Sequence, residues 1–135
     1  MAQVQIVKLE YPATELRPGS ERVQDLLVDQ PAIQFVQVRI PVGQVGRYHY
    51  HKDSDNVWIV TQGTIDAIVA GVRYKVGVGD VIFMPRGLPH STGNNGHVEV
   101  HAVELYVPSK ATGPNRDSHA AELPAIIVDA PLQPA

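Results

Sequence analysis

Glycine and proline interrupt this chain so often that it has little room for long helices. The 135 residues contain 11 glycines and 11 prolines, spread over the whole length. Between them lie short runs in which apolar and polar residues alternate, with the period of a half-buried strand. About ten such strands joined by turns predict an all-β domain, a sandwich or a small barrel. The clearest runs are residues 33–40, 56–63, 64–70, 72–76, 81–85 and 97–108.

The N-terminal part of the chain has weaker patterns. Residues 4–9 alternate loosely and predict a first strand, whereas residues 11–20 contain two prolines and a glycine and predict a loop. Apolar residues within 21–30 fall at helical spacing. That run is short and has no clear cap, so we favour a strand there.

The C-terminal part is predicted to be loop-rich. Residues 86–96 predict a long loop that carries His90. Residues 111–135 predict a loose tail that packs on the barrel or on a partner, with one strand or helix near residues 125–128. We expect residues 1–135 to form a single domain.

Composition argues against several classes of function. The net charge is −3 without a basic run, which argues against nucleic-acid binding, and no apolar run approaches the roughly 18 residues of a membrane span. The first residues lack a secretory pattern, so we expect no signal peptide. Cysteine is absent, so disulfides and thiolate ligands are excluded and a cytoplasmic location is predicted. Nitrogen and oxygen atoms would have to hold any metal ion.

Two histidines, His49 and His51, stand two residues apart in the predicted extended stretch 44–51. Side chains at positions i and i+2 of a strand point to the same face, so both imidazoles aim at one point. A third histidine from another segment, His90, would complete a mononuclear metal site of a common kind. The alternative is that the histidines line the barrel or lie on its surface, where they bond each other and water.

The two histidine segments resemble the two motifs of the cupin family. Gly43, His49, His51 and Gly63 fit the spacing of its first motif, and Gly79, Pro85, Gly87, His90 and Asn94 fit its second. Both motifs lie within residues 43–94. The resemblance implies a jelly-roll β-barrel, a metal ion held by the three histidines, and a homodimer formed through edge strands.

One position departs from the family pattern, because Asn56 stands where the first motif has glutamate. Three neutral imidazoles and an amide leave a charge of +2 around a divalent ion, where a carboxylate would leave +1. The site should therefore bind its metal less tightly and favour an anionic ligand. We take Asn56 as the fourth candidate ligand, with a role next to a ligating histidine as the alternative. Asp53 or Asp55 could complete the shell instead.

No catalytic residue is identified by the sequence, but two side chains are candidates for the pocket lining. His101 is expected on the same strand face as Glu99 and could serve as an acid or base, although a core or surface role explains it as well. Trp58 shares a face with Asn56 and either forms a wall of the pocket or packs in the core.

The resemblance favours a metal-dependent enzyme acting on a small molecule. The first hypothesis is a three-histidine dioxygenase or related oxygenase that uses Fe(II), or alternatively Mn, Ni, Cu or Zn, on a diketone or an enol acid. A non-catalytic cupin that binds a small ligand is the second hypothesis. The third is metal-free isomerisation or epimerisation by a histidine and a carboxylate, for which Glu99 and Glu104 are the available acids.

Overall fold

Two mainly antiparallel β-sheets form the fold in this computed structural model, which describes residues 3–110 and 117–131. All the elements in that part of the chain are strands, so the all-β jelly-roll prediction is confirmed. Sheet A has the order β1-β2-β9-β4-β7, and sheet B has the order β10-β3-β8-β5-β6-β11. The strands are β1 (Val23–Gln30), β2 (Ile33–Ile40), β3 (His49–Tyr50), β4 (Asp55–Gln62), β5 (Thr64–Val69), β6 (Val72–Gly77), β7 (Val81–Met84), β8 (His90–Gly93), β9 (Val100–Val107), β10 (His119–Ala120) and β11 (Val128–Asp129).

The apolar core lies between the sheets and follows the predicted alternation. Along β9, Val100 and Ala102 are fully buried, and along β4, Trp58 and Val60 are nearly so. The tight turn between β4 and β5 needs a glycine, because Gly63 has φ +78° and a Cβ there would lie 3.2 Å from a methyl group of Val100. No helix in the described part of the chain is long and apolar enough to cross a membrane.

Of the two strands predicted in the N-terminal part of the chain, one is absent and the other is confirmed. Residues 4–9 form no strand, and Val4 and Ile6 are each more than 90% exposed, because this segment pairs with no sheet edge. Residues 23–30 form β1 despite their helical spacing, because they pair with β2 along almost their whole length. The pairing partner thus overrides the local pattern.

The predicted loop over residues 86–96 is also wrong in its second half. Residues 90–93 form β8, in which His90 pairs with Val69 of β5 and with His49 of β3. The composition of β8 is polar and gives no strand pattern. The strand forms because its backbone pairs with β3 and β5, which lie far away in the chain. Conversely, the strand expected over residues 44–51 is reduced to the two residues of β3 and a bridge between Val45 and Gly93.

The described part of the tail packs on sheet B. Strand β10 pairs with β3, and β11 pairs in parallel with β6. An element near residues 125–128 was predicted, and β11 begins at Val128. The predictions for residues 111–116 and 132–135 lie outside the described residues.

The N-terminal segment is tied to the outer face of sheet A by a buried ion pair. The Arg39 Nε atom lies 2.9 Å from Oε2 of Glu99, and both side chains are less than 10% exposed. Oε1 of the same carboxylate accepts a hydrogen bond from the backbone N–H of Leu16 at 2.6 Å, and Arg39 Nη2 donates to the carbonyl of Thr14 at 2.8 Å. The ion pair therefore joins strand β2, the residue before β9 and the N-terminal segment.

Candidate metal site and cavity

The three histidines of the two motifs meet at one point. Their candidate ligand nitrogens all lie within 4.8 Å of one another. His49 and His51 present their rings on one side, with centroids 4.9 Å apart, as the two-residue spacing predicts. His90 is brought in by the pairing of β8 with β3, and its ring centroid lies 4.7 Å from that of His49. The cluster therefore combines a local pattern with a long-range strand pairing.

The turn between β7 and β8 locks the two motifs together. The backbone N–H of Gly87 donates to the carbonyl of His51 at 2.7 Å. Gly87 has φ +85°, a conformation that favours glycine, so the glycine of the second motif permits this contact. The turn thus fixes the backbone of one histidine while leading the chain into the strand that carries another.

Each imidazole is oriented by a backbone carbonyl. Nδ1 of His49 lies 2.7 Å from the carbonyl of Arg47, that of His51 lies 2.5 Å from the carbonyl of Asp117, and that of His90 lies 3.0 Å from the carbonyl of Leu88. A carbonyl oxygen only accepts, so each Nδ1 must carry the proton. Each Nε2 is then left with a free lone pair, the tautomer that a metal ligand needs.

Burial keeps the three imidazoles neutral at neutral pH. Burial lowers the pKa of His51 to about 4, and the nearby His49 adds to this effect. Burial and the same neighbour lower the pKa of His90 to about 4, and burial also lowers the pKa of His49. Neutral imidazoles bind a metal ion without first losing a proton.

The residues fit a divalent first-row ion. Nε2 of His51 is fully buried and has no hydrogen-bond partner among the described residues, which is costly unless another group meets it. Three neutral nitrogen donors without a thiolate suit Fe, Ni, Cu or Zn. No carboxylate from the described part of the chain joins the cluster.

The cluster opens into a cavity of about 350 Å³, a size suited to a small molecule. Its lining combines charged and polar side chains with the aromatic rings of Trp58 and Tyr106. The lining residues are Glu21, Arg22, Gln24, Gln44, Gly46, Arg47, His49, Asn56, Trp58, His90, Thr92, Glu104, Tyr106, Lys110 and Ser118.

Asn56 is buried beside the cluster, with its amide bound to neighbouring groups. Its Nδ2 donates to Oε2 of Glu104 at 3.1 Å and to the carbonyl of Leu105 at 3.0 Å. Its Oδ1 accepts a hydrogen bond from Nε1 of Trp58 at 3.1 Å. These bonds hold the amide towards strand β9, and its role as a metal ligand stays a prediction.

Glu104 supplies the buried carboxylate that position 56 lacks. It is 3% exposed and lines the cavity from β9, where it pairs with Trp58 of β4. Its Oε2 accepts hydrogen bonds from Trp58 Nε1 at 3.0 Å and from the Tyr106 hydroxyl at 2.8 Å, in addition to that from Asn56. Burial, together with the charge of Glu104, raises the pKa of Tyr106 well above its ordinary value, so Tyr106 keeps its proton and donates it.

The two aspartates proposed as alternative ligands point elsewhere. The carboxylate of Asp55 binds Arg86, with Oδ2 3.1 Å from Nη2, and this guanidinium lowers the pKa of Asp55. Asp53 is exposed, and its backbone N–H donates to the carboxylate of Asp117. Neither aspartate belongs to the histidine cluster or lines the cavity.

The two pocket-lining candidates differ in their placement. Trp58 is 2% exposed and lies in the cavity wall. His101 lies on the opposite face of β9 from Glu104 and does not line the cavity. It shares its face with Glu99 as predicted, with its Nε2 2.7 Å from Oε2 of Glu99, and its ring stacks on Tyr11 at 4.0 Å.

Sequence reasoning missed two of the three basic residues that line the cavity, Arg22 and Lys110. Arg22 donates to Gln44 and, through Nη1 and Nη2, to Thr92. Gly46 makes room for it, since a Cβ there would lie 2.7 Å from Nη2. The side chains of Arg22 and Lys110 reach the cavity only through packing between distant segments. Neither residue belongs to a sequence motif that would have indicated this position.

Comparisons with known proteins agree with this architecture. The sequence profile of the cupin domain family matches residues 36–106. A search of curated proteins found no match to the sequence.

Three of the similar solved structures show the same fold. An uncharacterized conserved protein with a double-stranded β-helix domain from Klebsiella pneumoniae has 21% identity and a TM-score of 0.65, with 72% of this chain and 81% of that chain covered. KdgF from Halomonas has 22% identity and a TM-score of 0.60, with 70% and 85% covered. An RmlC-like cupin family protein from Methanocaldococcus jannaschii has 16% identity and a TM-score of 0.62, with 76% and 94% covered. At these identities the likeness concerns the fold alone.

Proposed function

The chain belongs to the cupin domain family, and from this premise we propose that it is a metal-dependent enzyme acting on a small oxygenated molecule. The observation that carries the proposal is the cluster of three neutral imidazoles, each with Nδ1 bound to a carbonyl and Nε2 free. His49, His51 and His90 would hold one divalent ion, with Fe(II) as the first candidate. When bound, that ion supplies Lewis-acid polarisation of a substrate oxygen or a site for dioxygen.

The chain's own residues would bind and orient the substrate. Trp58 and Tyr106 give the cavity an aromatic wall against which a planar diketone or enol acid packs. Glu104 is the buried acid of the cavity, and its hydrogen bonds hold it in one orientation. From there it would take up or return a substrate proton.

Two reaction types fit this arrangement. Oxygenation of a diketone or an enol acid is the first candidate, because some dioxygenases of the cupin family also use three histidines without a carboxylate ligand. Proton transfer without oxidation, as in an isomerisation, is the second candidate, and the observation that favours it is Glu104 inside the cavity. The metal-free alternative has weaker support. His101 and Glu99 form a histidine–carboxylate pair with a contact of 2.7 Å, but neither residue lines the cavity.

The Fe(II)-loaded protein should transform a member of a panel of diketones and enol acids. Dioxygen uptake would be measured with an electrode. If no uptake is seen, deuterium incorporation from D₂O into the substrate would be followed by NMR. We expect chelation to abolish the reaction and Glu104→Gln to slow it about 10²- to 10⁴-fold, the usual contribution of a positioned acid or base.

Each contrary result of this panel has its own reading. Turnover that survives chelation would contradict the metal-dependent proposal and favour metal-free acid–base catalysis. A metal-loaded protein that turns over no panel member yet is stabilised against heat by some of them would instead support a non-catalytic ligand-binding cupin. Glu122→Gln, at an exposed tail position, is the matched control for the glutamate variant.

We also propose that the protein is a homodimer, built on an apolar patch on the outer face of sheet A. In the register of β4 and β7, Val57 pairs with Phe83 and Ile59 with Val81. Phe83 and Val81 are 58% and 62% exposed and lie on one face beside Val57 and Ile59, so they form a contiguous exposed apolar patch. A second copy of the same face is the occupant that fits, because the patch is apolar and includes β7, which is an edge strand of sheet A in the described part of the chain.

Light scattering after size-exclusion chromatography should give the mass of two 14.7 kDa chains for the wild type. Phe83→Glu should shift the mass to one chain, because it places a charge in the middle of an apolar interface. Leu123→Glu, at a half-exposed tail position, should leave the dimer intact. A monomeric wild type, or a dimer unaffected by Phe83→Glu, would show that this face is not the interface.

A further inference from the structure

Lys110 is a cation of the cavity without an anionic partner in the described chain. Its backbone N–H donates to Gln34 at 3.1 Å, which fixes the start of the side chain. Its Nζ lies 4.4 Å from the ring centroid of Tyr106 and forms no ion pair within residues 3–110 and 117–131. Burial lowers the pKa of Lys110. A partly buried ammonium group without a carboxylate partner is available for a charge-assisted hydrogen bond to an anionic ligand.

The one buried acid of the cavity interior is already engaged. Oε2 of Glu104 accepts three hydrogen bonds, from Asn56, Trp58 and Tyr106. Its Oε1 accepts a hydrogen bond from Nε2 of Gln24 at 3.3 Å. Glu104 therefore lowers the local potential but does not pair with Lys110.

The cavity interior is left with an excess of positive charge once a divalent ion is bound. The lining cations are Arg22, Arg47 and Lys110, and the lining anions are Glu21 and Glu104, so the cations outnumber the anions by one before any metal ion is counted. The three imidazoles are neutral, and position 56 carries an amide instead of the family's carboxylate. Such a site attracts an anion and gains little from a neutral molecule of the same shape.

From these charges we infer that the substrate is a small organic acid whose carboxylate binds Lys110 while a neighbouring keto, enol or hydroxyl oxygen faces the histidine cluster. The inference rests on the proposed function, because it uses the same cavity. Lys110 would then set specificity: it selects the carboxylate and turns the reacting oxygen towards the metal site. The aromatic ring of Tyr106 holds the ammonium group in place from one side.

The test compares two ligands that differ mainly in charge. Oxamate is a stable monoanion with a carbonyl beside its carboxylate, and oxamide is the neutral molecule of nearly the same shape. Their binding to the Zn²⁺-loaded wild type would be measured by calorimetry, together with Lys110→Met, Lys110→Arg and the exposed control Lys8→Met. Metal content and thermal midpoint would be recorded for each variant.

We expect the wild type to prefer oxamate over oxamide by at least about tenfold, since a charge-assisted contact contributes that much. Lys110→Met should lose this preference while keeping its metal, and Lys110→Arg and Lys8→Met should retain it. Equal binding of the two ligands by the wild type, no oxamate binding at all, or an unchanged preference in Lys110→Met would overturn the inference. Failure of the wild type to take up metal would contradict the proposed function, which is a separate and distinguishable result.

Discussion

His51→Ala should reduce the bound metal from about one equivalent to less than a tenth of an equivalent. The substitution removes one of three nitrogen donors, and it is the donor whose Nε2 is buried without a hydrogen-bond partner in the described chain. Loss of an outer group that merely orients a ligand typically costs 10- to 100-fold in metal affinity, so loss of a ligand should cost more than about 100-fold. Elemental analysis after reconstitution and dialysis measures the stoichiometry, and competition with a chromophoric chelator measures the affinity.

His97→Ala is the matched control, because His97 is exposed and lies outside the cluster. It should bind metal as the wild type does. Circular dichroism would show whether His51→Ala keeps the β-sheet spectrum, which separates loss of the site from loss of the fold. Equal metal content in His51→Ala and the wild type would refute the proposed ligand set.

The cluster of three histidines could be predicted because its geometry is mostly local. The two-residue spacing of His49 and His51 places both rings on one face in any extended chain. His90 was found through the motif that ends the β7–β8 turn, even though β8 itself was predicted as a loop. The glycine at position 87 explains why the motif is informative: it makes the turn whose N–H binds the carbonyl of His51.

The positions of Glu104 and Lys110 in the cavity were harder to predict, because they depend on packing between distant segments. Ala102, Glu104 and Tyr106 stand two residues apart along β9, which places them on one face of the strand. The pattern alone does not show that this face contacts Trp58. Only the register of β4 and β9 establishes that contact. Lys110 follows the last long strand, and nothing in the local sequence indicates that its side chain turns back over Tyr106.

The outer face of sheet A gives the clearest case of a signal with two interpretations. His101 and Glu99 share a face, as the strand period requires, and the sequence allowed that face to line the cavity. The structure instead covers it with the N-terminal segment, where Tyr11 stacks on His101 and its hydroxyl donates to the carbonyl of Ala102 at 3.0 Å. A segment predicted as a plain loop thus buries polar groups that would otherwise face water.

Glu99→Gln should lower the free energy of unfolding by about 3–5 kcal/mol, the usual effect of removing one partner from a buried ion pair. The neutral amide cannot balance the charge of Arg39. This residue is only 7% exposed, so its guanidinium group would remain buried without an anionic partner. The substitution would also weaken the hydrogen bonds that Leu16 and His101 make to this side chain. Urea unfolding followed by tryptophan fluorescence measures the change, and Glu122→Gln is the exposed control. A change below about 1 kcal/mol would show that the ion pair does not hold the N-terminal segment.

The same variant should change how stability depends on pH. Burial raises the pKa of Glu99, but the hydrogen bonds from Arg39, Leu16 and His101 outweigh it, so the folded-state pKa lies below the ordinary value. A depressed carboxyl pKa stabilises the fold above the unfolded-state value of about 4.3, and this stabilisation is lost as the pH falls through the folded-state value. The stability difference between the wild type and Glu99→Gln should therefore be full at pH 6 and shrink below about pH 4. Other acids with lowered pKa values, such as Asp55 and Asp117, are present in both proteins and cancel in the difference. A difference that stays constant down to pH 3 would mean that the charge of Glu99 contributes nothing to folding, and that the variant acts through packing alone.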